Sequence, residues 1–281
     1  MLIFNKQTEL SNYLSSLPQP RSVGFVPTMG ALHDGHISLL RKSLEDNSTT
    51  VISIFVNPTQ FNNAEDLEKY PKNLDRDIAK ISTLSPDIIV FAPDTNDIYK
   101  GNTISEQFDF DGLDTKMEGR FRAGHFDGVG TIVRQLLLIV APDNAYFGEK
   151  DFQQVQIVRK LVEKNQIPVN IVTCPIHREE NGLAMSSRNE RLSADTRSEA
   201  SLIYKILKHV RETFGTIDVS QIAANVQASI DQNPNFKLEY FEIADEETLE
   251  TISEIQPGRK YRAFIAVYVN NVRLIDTISL N

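Results

Sequence analysis

Cysteine is almost absent from this chain, because Cys174 is the only one among its 281 residues. A single cysteine excludes a framework of intrachain disulfides and a metal cluster held by several cysteines. It also favours a reducing compartment. The first residues contain no basic leader followed by a long apolar stretch, so we expect no secretory signal and a cytoplasmic protein.

Long apolar runs and an excess of positive charge are lacking as well. The longest apolar run, 136–141, is far shorter than the roughly 18 residues that a membrane span requires. The 29 Lys and Arg residues are outnumbered by 38 Asp and Glu residues, which gives a formal net charge of −9. A protein built as a whole to bind nucleic acid is therefore not expected, since neutralising phosphates requires clustered Lys and Arg. A local basic patch stays open.

Strand-like and helix-like segments alternate through the first part of the chain. A hydrophobic fraction of 41% is ordinary for a globular protein, and a length of 281 residues allows a substantial core and two domains. We predict strands at 22–26, 50–56, 88–91, 145–147 and 169–174, with amphipathic helices around 37–44, 74–81, 129–140 and 153–164. This alternation is typical of a parallel sheet with helices on both faces. We therefore predict an α/β fold with a Rossmann-like parallel sheet.

The pattern changes after about residue 176. Helices are predicted at 193–214 and 219–230, followed by strands at 236–244, 263–269 and 272–278. This order indicates a smaller C-terminal α+β domain. We predict two domains, 1–176 and 177–281, with the second acting as a lid over the active site. The polar junction 175–189 is a candidate for a mobile loop.

The most informative segment, 27–40, follows the first predicted strand and opens a helix. Its residues His33 and His36 bracket Asp34 and Gly35 in an H-x-G-H pattern. Unpaired backbone N–H groups and the helix dipole favour an anion at this point, and two imidazoles can add hydrogen bonds to phosphate oxygens. A capped helix with two surface histidines explains the spacing equally well.

A second polar segment, 182–189, contains two hydroxyls and a guanidinium. Arg188 can bind phosphate oxygens as a bidentate clamp, with Ser186 and Ser187 beside it. Either serine could instead serve as a helix cap or a turn residue. Combined with H-x-G-H in this order, the segment resembles the signature of nucleotidylyl transferases, which attack the α-phosphate of ATP and release pyrophosphate.

Two further polar segments follow predicted strands directly, where open α/β sheets place their ligands. In the first, Lys150 could bind phosphate, Asp151 a ribose hydroxyl and Gln154 a small hydroxy acid. The alternative is a solvated loop with Asp151 as a helix N-cap. In the second, Gln60 beside Phe61 suits a substrate contact, although a turn at 57–58 is also possible.

These four segments, in this order, resemble those of the pantoate–β-alanine ligase family, and the resemblance covers most of the chain. The matching blocks are VPTMGALH (26–33), NPTQF (57–61), EDL (65–67), YP (70–71), MEGRFR (117–122), GHFDGV (124–129), FGEKD (147–151) and AMSSR (184–188). Looser matches are YFEIAD (240–245) and RLID (273–276).

The resemblance implies a ligase that works in two steps. The pantoate carboxylate attacks the α-phosphate of ATP to give pantoyl adenylate and pyrophosphate. The amine of β-alanine then attacks the acyl carbon, and AMP leaves. The resemblance also implies a homodimer formed through the N-terminal domain. Mg²⁺ is expected to arrive on ATP, since hard cations often keep phosphate and water ligands, so no dedicated metal site is predicted.

The family pattern also implies roles for individual residues. ATP would be bound by Met29, Gly30, Ala31, Leu32, His33, Asp34, Gly35, His36, Gly148, Glu149, Lys150, Asp151, His177, Met185, Ser186, Ser187 and Arg188. Gln60 and Gln154 would hold pantoate, with Gln60 also bordering the β-alanine site. The catalytic set would be His33, His36, Lys150 and Arg188, whose fixed donors meet the charge that grows on the phosphates. We interpret His36 as a hydrogen-bond donor first, with acid catalysis unproven.

The chain departs from the family pattern at two positions of the proposed site. Ala123 replaces the usual Pro, which makes the loop before Gly124 less rigid. His177 replaces the usual Val at a position where the family contacts adenine mainly through the backbone, so ATP binding should survive.

Several polar residues allow two interpretations. Arg120, Arg122 and His125 could line the pocket, or the two arginines could simply pair with acidic neighbours. Asp75 and Asp77 are expected on a solvated helix face rather than in a metal pair. Two other functions also stay open: a nucleotidylyl transferase acting on a different substrate, and a catalytically silent nucleotide-binding protein.

Overall fold

The computed structural model describes residues 1–281 and contains a six-stranded parallel sheet and a three-stranded antiparallel sheet. The strands are β1 (Ile3–Phe4), β2 (Val23–Thr28), β3 (Thr49–Ile54), β4 (Ile89–Phe91), β5 (Asn144–Gly148), β6 (Asn170–Cys174), β7 (Phe236–Asp245), β8 (Tyr261–Val269) and β9 (Val272–Ser279). The helices are α1 (Gln7–Ser16), α2 (Asp34–Asp46), α3 (Ala64–Glu68), α4 (Leu74–Leu84), α5 (Thr95–Tyr99), α6 (Met117–Phe121), α7 (His125–Val140), α8 (Phe152–Lys164), α9 (Ala194–Glu199), α10 (Leu202–Thr213) and α11 (Val219–Asp231).

The parallel sheet has the strand order β1-β4-β3-β2-β5-β6. From β2 the chain moves outward through β3 and β4, and it then returns to place β5 on the other side of β2. The order therefore reverses between β2 and β5. In open α/β sheets a crevice forms at such a point, beyond the carboxyl ends of the strands.

The strands of this sheet are buried on both faces, as their continuous apolar runs predict. Phe25 and Val51 belong to one hydrophobic cluster, whereas their neighbours Val26 and Ile52 belong to the cluster on the opposite face. Gly24 allows α2 to approach β2 closely, because a Cβ at this position would lie 2.1 Å from the Ser43 hydroxyl. The predicted α/β fold with a parallel sheet flanked by helices is confirmed.

The antiparallel sheet has the order β7-β8-β9, with α10 and α11 packed near it. A hydrophobic cluster lies wholly between Leu183 and Leu280. Other side chains of the same sheet, including Tyr240 and Phe264, pack into the large cluster of the first sheet. The C-terminal unit therefore has its own core and also rests against the N-terminal one.

Several elements differ from the sequence prediction. The single helix predicted at 193–214 is wrong, because α9 and α10 are separated at Ala200–Ser201. Here the Ser201 amide bonds to the Ser198 carbonyl, one residue closer than in an α-helix, and both residues at the break are buried. The prediction also passed over β1, α1, α3, α5 and α6, of which all but the ten-residue α1 are too short for a clear periodic signal. No helix combines the length and hydropathy of a membrane span.

Candidate active site

A cleft of about 230 Å³ opens at the carboxyl ends of β2 and β5, where the strand order reverses. Its wall comes from the loop after β2, the turn after β5 and the segment 175–188. The four predicted catalytic side chains, His33, His36, Lys150 and Arg188, all line this cleft. Side chains far apart in sequence are therefore brought together, as the motif positions predict.

Most residues predicted to bind ATP or pantoate also line the cleft. Besides the four catalytic residues, these are Met29, Gly35, Gln60, Gly148, Asp151, Gln154, His177, Met185, Ser186 and Ser187. Five predicted ATP-binding residues do not line it: Gly30, Ala31, Leu32, Asp34 and Glu149. Among these, Leu32 is buried in the core and Asp34 pairs with Lys80 at 2.8 Å.

The two motif histidines meet at the beginning of α2. The backbone N–H of His33 donates to Nδ1 of His36 at 3.3 Å, and the ring centroids lie 4.0 Å apart. Because Nδ1 of His36 accepts, the neutral ring carries its proton on Nε2 and can donate there. Burial lowers the pKa of His36 to about 4 even though Asp151 opposes the shift. Burial, followed by the charges of His36 and Lys150, lowers the pKa of His33 to about 2.

Asp77 holds the loop that carries these histidines, and the expectation of a solvated helix face is wrong for it. Its side chain is 2% exposed. One carboxylate oxygen accepts from the Ala31 amide at 2.9 Å, and the other accepts from the Leu32 amide at 2.7 Å. Burial raises the pKa of Asp77 despite these two hydrogen bonds. Gly30 adopts a left-handed φ of +81°, which turns the loop toward Asp77.

The turn after β5 presents Lys150 to the cleft. Residues Glu149–Asp151 form a 3₁₀ turn that leads directly into α8. Nζ of Lys150 lies 3.1 Å from a carboxylate oxygen of Asp151. Asp151 occupies the N-cap position of α8, but its side chain accepts no capping hydrogen bond, so the carboxylate is free to face the cleft.

The polar segment before residue 189 forms the opposite wall. Ser186 caps the 3₁₀ turn Ser187–Arg191 by accepting from the Arg188 amide, as the alternative interpretation predicted. The Ser187 hydroxyl donates to the Ala31 carbonyl at 3.1 Å and joins this wall to the histidine loop. The guanidinium of Arg188 pairs with Asp66 at 2.7 Å.

Asn57 is a buried residue of the cleft wall that sequence reasoning did not single out. It is 1% exposed, and its amide nitrogen donates to Oε1 of Gln60 and to the Gly128 carbonyl. Its oxygen accepts from the Tyr99 and Thr59 hydroxyls. Because Asn57 occupies the Gln60 oxygen, the amide NH₂ of Gln60 remains available to donate to an anionic ligand. The sequence feature that could have identified Asn57 is its position just after the end of β3.

A second cavity of about 90 Å³ adjoins the main cleft. Six residues line both: Met29, Gln60, Lys150, Asp151, Gln154 and Arg188. Arg122 and His125 line only the second cavity, and Arg122 also pairs with Glu118 at 3.4 Å, so both interpretations of Arg122 hold. Arg120 lines neither cavity and pairs with Glu242, so it follows the alternative prediction of an acidic partner.

Glu118 at the base of the second cavity is fully engaged by its neighbours. Its carboxylate accepts two hydrogen bonds from Arg273 at 2.7 and 2.9 Å and one from the Tyr240 hydroxyl at 2.8 Å. Burial opposes ionisation, but Arg273 and Arg122 outweigh it and lower the pKa of Glu118 to about 2. Arg122 reaches Glu118 only at 3.4 Å, and burial lowers the pKa of its guanidinium. Arg122 therefore keeps hydrogen-bonding capacity for a ligand.

His125 presents an acceptor to the same cavity. Its Nδ1 lies 2.9 Å from the Gln60 carbonyl oxygen, which can only accept, so Nδ1 carries the proton. The other ring nitrogen, Nε2, is then an unprotonated acceptor. Burial and the charge of Arg122 lower the pKa of His125 to about 3. No group of three or more His, Cys, Asp or Glu side chains is arranged to hold a metal ion.

Comparisons with known proteins point to one family. The model of the family described as Pantoate-beta-alanine ligase matches residues 2–279. The chain is similar to the pantothenate synthetase of Flavobacterium psychrophilum, with 57% identity over 281 residues and all of both chains covered. It is 46% identical over 279 residues to the pantothenate synthetase of Bacteroides fragilis, covering 99% of this chain and 98% of the relative.

Solved structures agree with the sequence comparisons. The pantothenate synthetase of Thermus thermophilus matches with a TM-score of 0.91 and 39% identity, covering 100% of this chain and 99% of that one. A pantoate-beta-alanine ligase of Francisella tularensis, complexed with beta-gamma ATP and beta-alanine, matches with a TM-score of 0.82 and 34% identity. That match covers 100% of this chain and 98% of the other. The chain belongs to the pantoate–β-alanine ligase family.

Proposed function

We propose that the protein condenses pantoate with β-alanine at the expense of ATP, through a pantoyl adenylate, and releases AMP and pyrophosphate. The observation that carries this proposal is the convergence of His33, His36, Lys150 and Arg188 on one cleft that also contains Gln60 and Gln154. Family membership supports the same reaction.

The first step moves negative charge onto phosphate oxygens. As the pantoate carboxylate attacks the α-phosphate, a new P–O bond forms and the bond to pyrophosphate breaks. Lys150 and Arg188 supply positive charge, and Nε2–H of His36 supplies a fixed hydrogen bond. Donors held in place before the reaction stabilise this charge without reorganisation. The low pKa of His36 supports hydrogen-bond donation by a neutral ring rather than proton transfer.

The pantoate site combines two amides with apolar walls. The Gln60 NH₂ is directed by Asn57 to donate, which suits a carboxylate or hydroxyl oxygen. Gln154 lines the same part of both cavities. Pro27, Val129 and Phe147 also line the cleft and offer contacts to the two methyl groups of pantoate.

β-Alanine would reach the acyl carbon from the second cavity. The Arg122 guanidinium is available for its carboxylate, and the unprotonated Nε2 of His125 is available for its ammonium group. The adjoining position of the two cavities places this nucleophile beside Gln60 and Gln154. Attack forms the amide bond and breaks the acyl–phosphate bond. AMP leaves, and the ammonium protons lost from nitrogen pass to acceptors in the cavity or to water.

Mg²⁺ would accompany ATP and neutralise part of its phosphate charge. The charged and imidazole side chains that line the cleft are three histidines, Lys150 and Arg188, with Asp151 as the acidic member. This set fits phosphate oxygens better than a hard cation, which supports an ion bound chiefly by phosphate and water.

We also propose the division into residues 1–176 and 177–281, with the second unit as a lid. The separate core between Leu183 and Leu280 supports this division, and Ser187 and Arg188 on the cleft wall support the lid. A lid would shield the adenylate from hydrolysis. A homodimer and a cytoplasmic location remain part of the proposal.

Product analysis tests the function directly. The protein is incubated with ATP, Mg²⁺, pantoate and β-alanine, and the products are separated by chromatography and identified by mass. We expect AMP, pyrophosphate and pantothenate in equal amounts. Formation of ADP, or an absence of turnover in folded protein, would contradict the proposal. Use of a different acid in place of pantoate would favour another nucleotidylyl transferase.

A primary amine without a carboxylate tests the role of Arg122. Arg122→Met should weaken β-alanine strongly while pantoate-dependent exchange of pyrophosphate into ATP continues. Propylamine, which has no carboxylate, should react almost equally with the native protein and the variant. Equal losses with both amines would argue against Arg122 as the carboxylate receptor.

A further inference from the structure

Arg262 is a buried arginine that joins the C-terminal sheet to the turn carrying Lys150. It lies on β8, is 3% exposed and lines neither of the two cavities of the site. One guanidinium nitrogen donates to Glu149 at 2.8 Å, and Nε donates to Glu246 at 3.0 Å. Its guanidinium carbon lies 4.2 Å from the ring centroid of Phe152. The guanidinium of Arg262 therefore has two carboxylate partners and an aromatic ring beside it.

The two carboxylate partners of Arg262 lie in different parts of the structure. Glu149 begins the 3₁₀ turn Glu149–Asp151 and immediately precedes Lys150. Glu246 follows β7 in the C-terminal part of the chain and lines neither the cleft nor the second cavity. The same guanidinium therefore connects the proposed phosphate-binding turn to the C-terminal sheet.

An apolar contact lies beside this connection. Phe152, the first residue of α8, lies against Phe264 of β8 with ring centroids 6.0 Å apart. The turn is thus held from the C-terminal side by a charged contact at Glu149 and an apolar contact at Phe152. Lys150 lies between these two points in sequence and faces the cleft.

The connection also affects the charge near the cleft. A carboxylate next to Lys150 would repel a triphosphate if it turned inward. The hydrogen bond to Arg262 holds Glu149 outward, which explains why Glu149 does not line the cleft as predicted. Lysine could not replace Arg262 without loss, because its compact ammonium lacks the planar fork whose separate edges meet two carboxylates while its face stacks on a ring.

We propose that Arg262 is a positioning residue for adenylate formation, acting through Glu149 to place Lys150 against the phosphates of ATP. This inference rests on the proposed function. A purely structural ion pair is the alternative, and buried ion pairs are by themselves weak evidence for stability.

Two matched variants separate these possibilities. Glu149→Ala and Glu246→Ala each remove one carboxylate partner from the same guanidinium, but only the first frees the turn beside Lys150. Pantoate-dependent pyrophosphate exchange and thermal unfolding are measured for both. We expect exchange to fall by about 10- to 100-fold in Glu149→Ala, as expected for a displaced contact at the reacting phosphates. Glu246→Ala should stay within about twofold of the native rate.

The kinetic constants separate the two possibilities, because a purely structural role of Arg262 would not change kcat relative to KM for ATP. Because Lys150 meets charge that grows in the transition state, kcat should fall more than KM for ATP rises in Glu149→Ala. Arg262→Lys should show the same split. Combining it with Glu149→Ala should add little further loss, since both changes break one connection.

Each outcome decides the proposal. Equal losses of exchange in Glu149→Ala and Glu246→Ala, additive losses in the double variant, or lower thermal stability with unchanged kcat would overturn it. If Arg262→Lys does not fold, the comparison of the two Ala variants remains decisive. A native protein that performs no pantoate-dependent exchange would instead contradict the proposed function.

Discussion

The backbone amide of His33 donates to Nδ1 of His36 at 3.3 Å, and this contact fixes which nitrogen of His36 faces outward with a proton. The helix start therefore sets the tautomer of the side chain that lines the cleft. A proposed donor to phosphate is thus prepared by local backbone structure before ATP arrives.

Replacing His36 with Ala should affect chemistry far more than folding. Loss of one fixed donor to the growing charge should lower pantoate-dependent pyrophosphate exchange by about 10²- to 10³-fold. Stability should fall by only about 1 kcal/mol, as expected for one lost hydrogen bond. Exchange assays and urea unfolding measure the two effects. The control is His209→Ala on the exposed face of α10, which should change neither. Parallel losses of folding and activity in His36→Ala would contradict the proposed role.

Stability should decrease as pH falls below neutrality, because the buried His125 and the half-buried His33 and His36 are held in neutral form. The pKa values of His33, His36 and His125 are about 2, 4 and 3, below the ordinary 6.5. The unfolded chain therefore binds protons first, and stability present above pH 6.5 is lost progressively between about pH 6.5 and pH 4. Each such histidine contributes a slope of up to about 1.4 kcal/mol per pH unit in this interval.

Urea unfolding between pH 7 and pH 5 checks this slope. His125→Gln should reduce the slope of the free energy of unfolding against pH by up to the contribution of one histidine, about 1.4 kcal/mol per pH unit. His209→Gln should leave the slope unchanged, since His209 is exposed. An unchanged slope in His125→Gln would show that His125 is not buried in neutral form.

Asp77→Asn should loosen the loop that carries the histidines. Each carboxylate oxygen of Asp77 accepts a hydrogen bond from one backbone N–H. In Asn, one of these oxygens is replaced by an NH₂ group, which cannot accept from a backbone N–H. We expect a loss of about 1–3 kcal/mol in stability and a higher KM for ATP. Asp75→Asn is the matched control, because Asp75 is exposed on the same helix. Similar behaviour of the two variants would argue against the anchoring role of Asp77.

Gly128→Ala should displace the turn that carries Gln60. A Cβ at this position on α7 would lie 2.4 Å from the Thr59 carbonyl oxygen and 2.7 Å from Cα of Gln60. The turn must move, at an expected cost of about 1–3 kcal/mol. Because Gln60 moves with it, KM for pantoate should rise more than KM for ATP. Leu138→Ala, at a position 57% exposed on the same helix, should leave both constants near native. A larger effect on ATP would contradict the assignment of Gln60 to pantoate.

The sequence predicted those features that depend on local pattern. Motifs placed directly after strands had to meet at one edge of a parallel sheet, so the gathering of His33, Lys150 and Gln60 followed from strand order. The α/β fold followed from the same alternation of apolar runs.

Features that depend on tertiary contacts could not be predicted in this way. Asp77 bonds to backbone amides that lie 45 and 46 residues away, and the sequence of α4 shows only an exposed-looking acidic residue. Glu149 turns away from the cleft because Arg262, 113 residues later, lies on its other side. The helix predicted at 193–214 breaks where Ala200 and Ser201 become buried, although both are compatible with a continuous helix.

Pantoate-dependent exchange of labelled pyrophosphate into ATP, measured without β-alanine, tests the central claim most directly. We expect exchange that requires pantoate and that falls sharply in Lys150→Met and Arg188→Met, because both side chains line the proposed triphosphate site. Folded native protein that exchanges no pyrophosphate with pantoate, or variants that exchange at the native rate, would contradict the account.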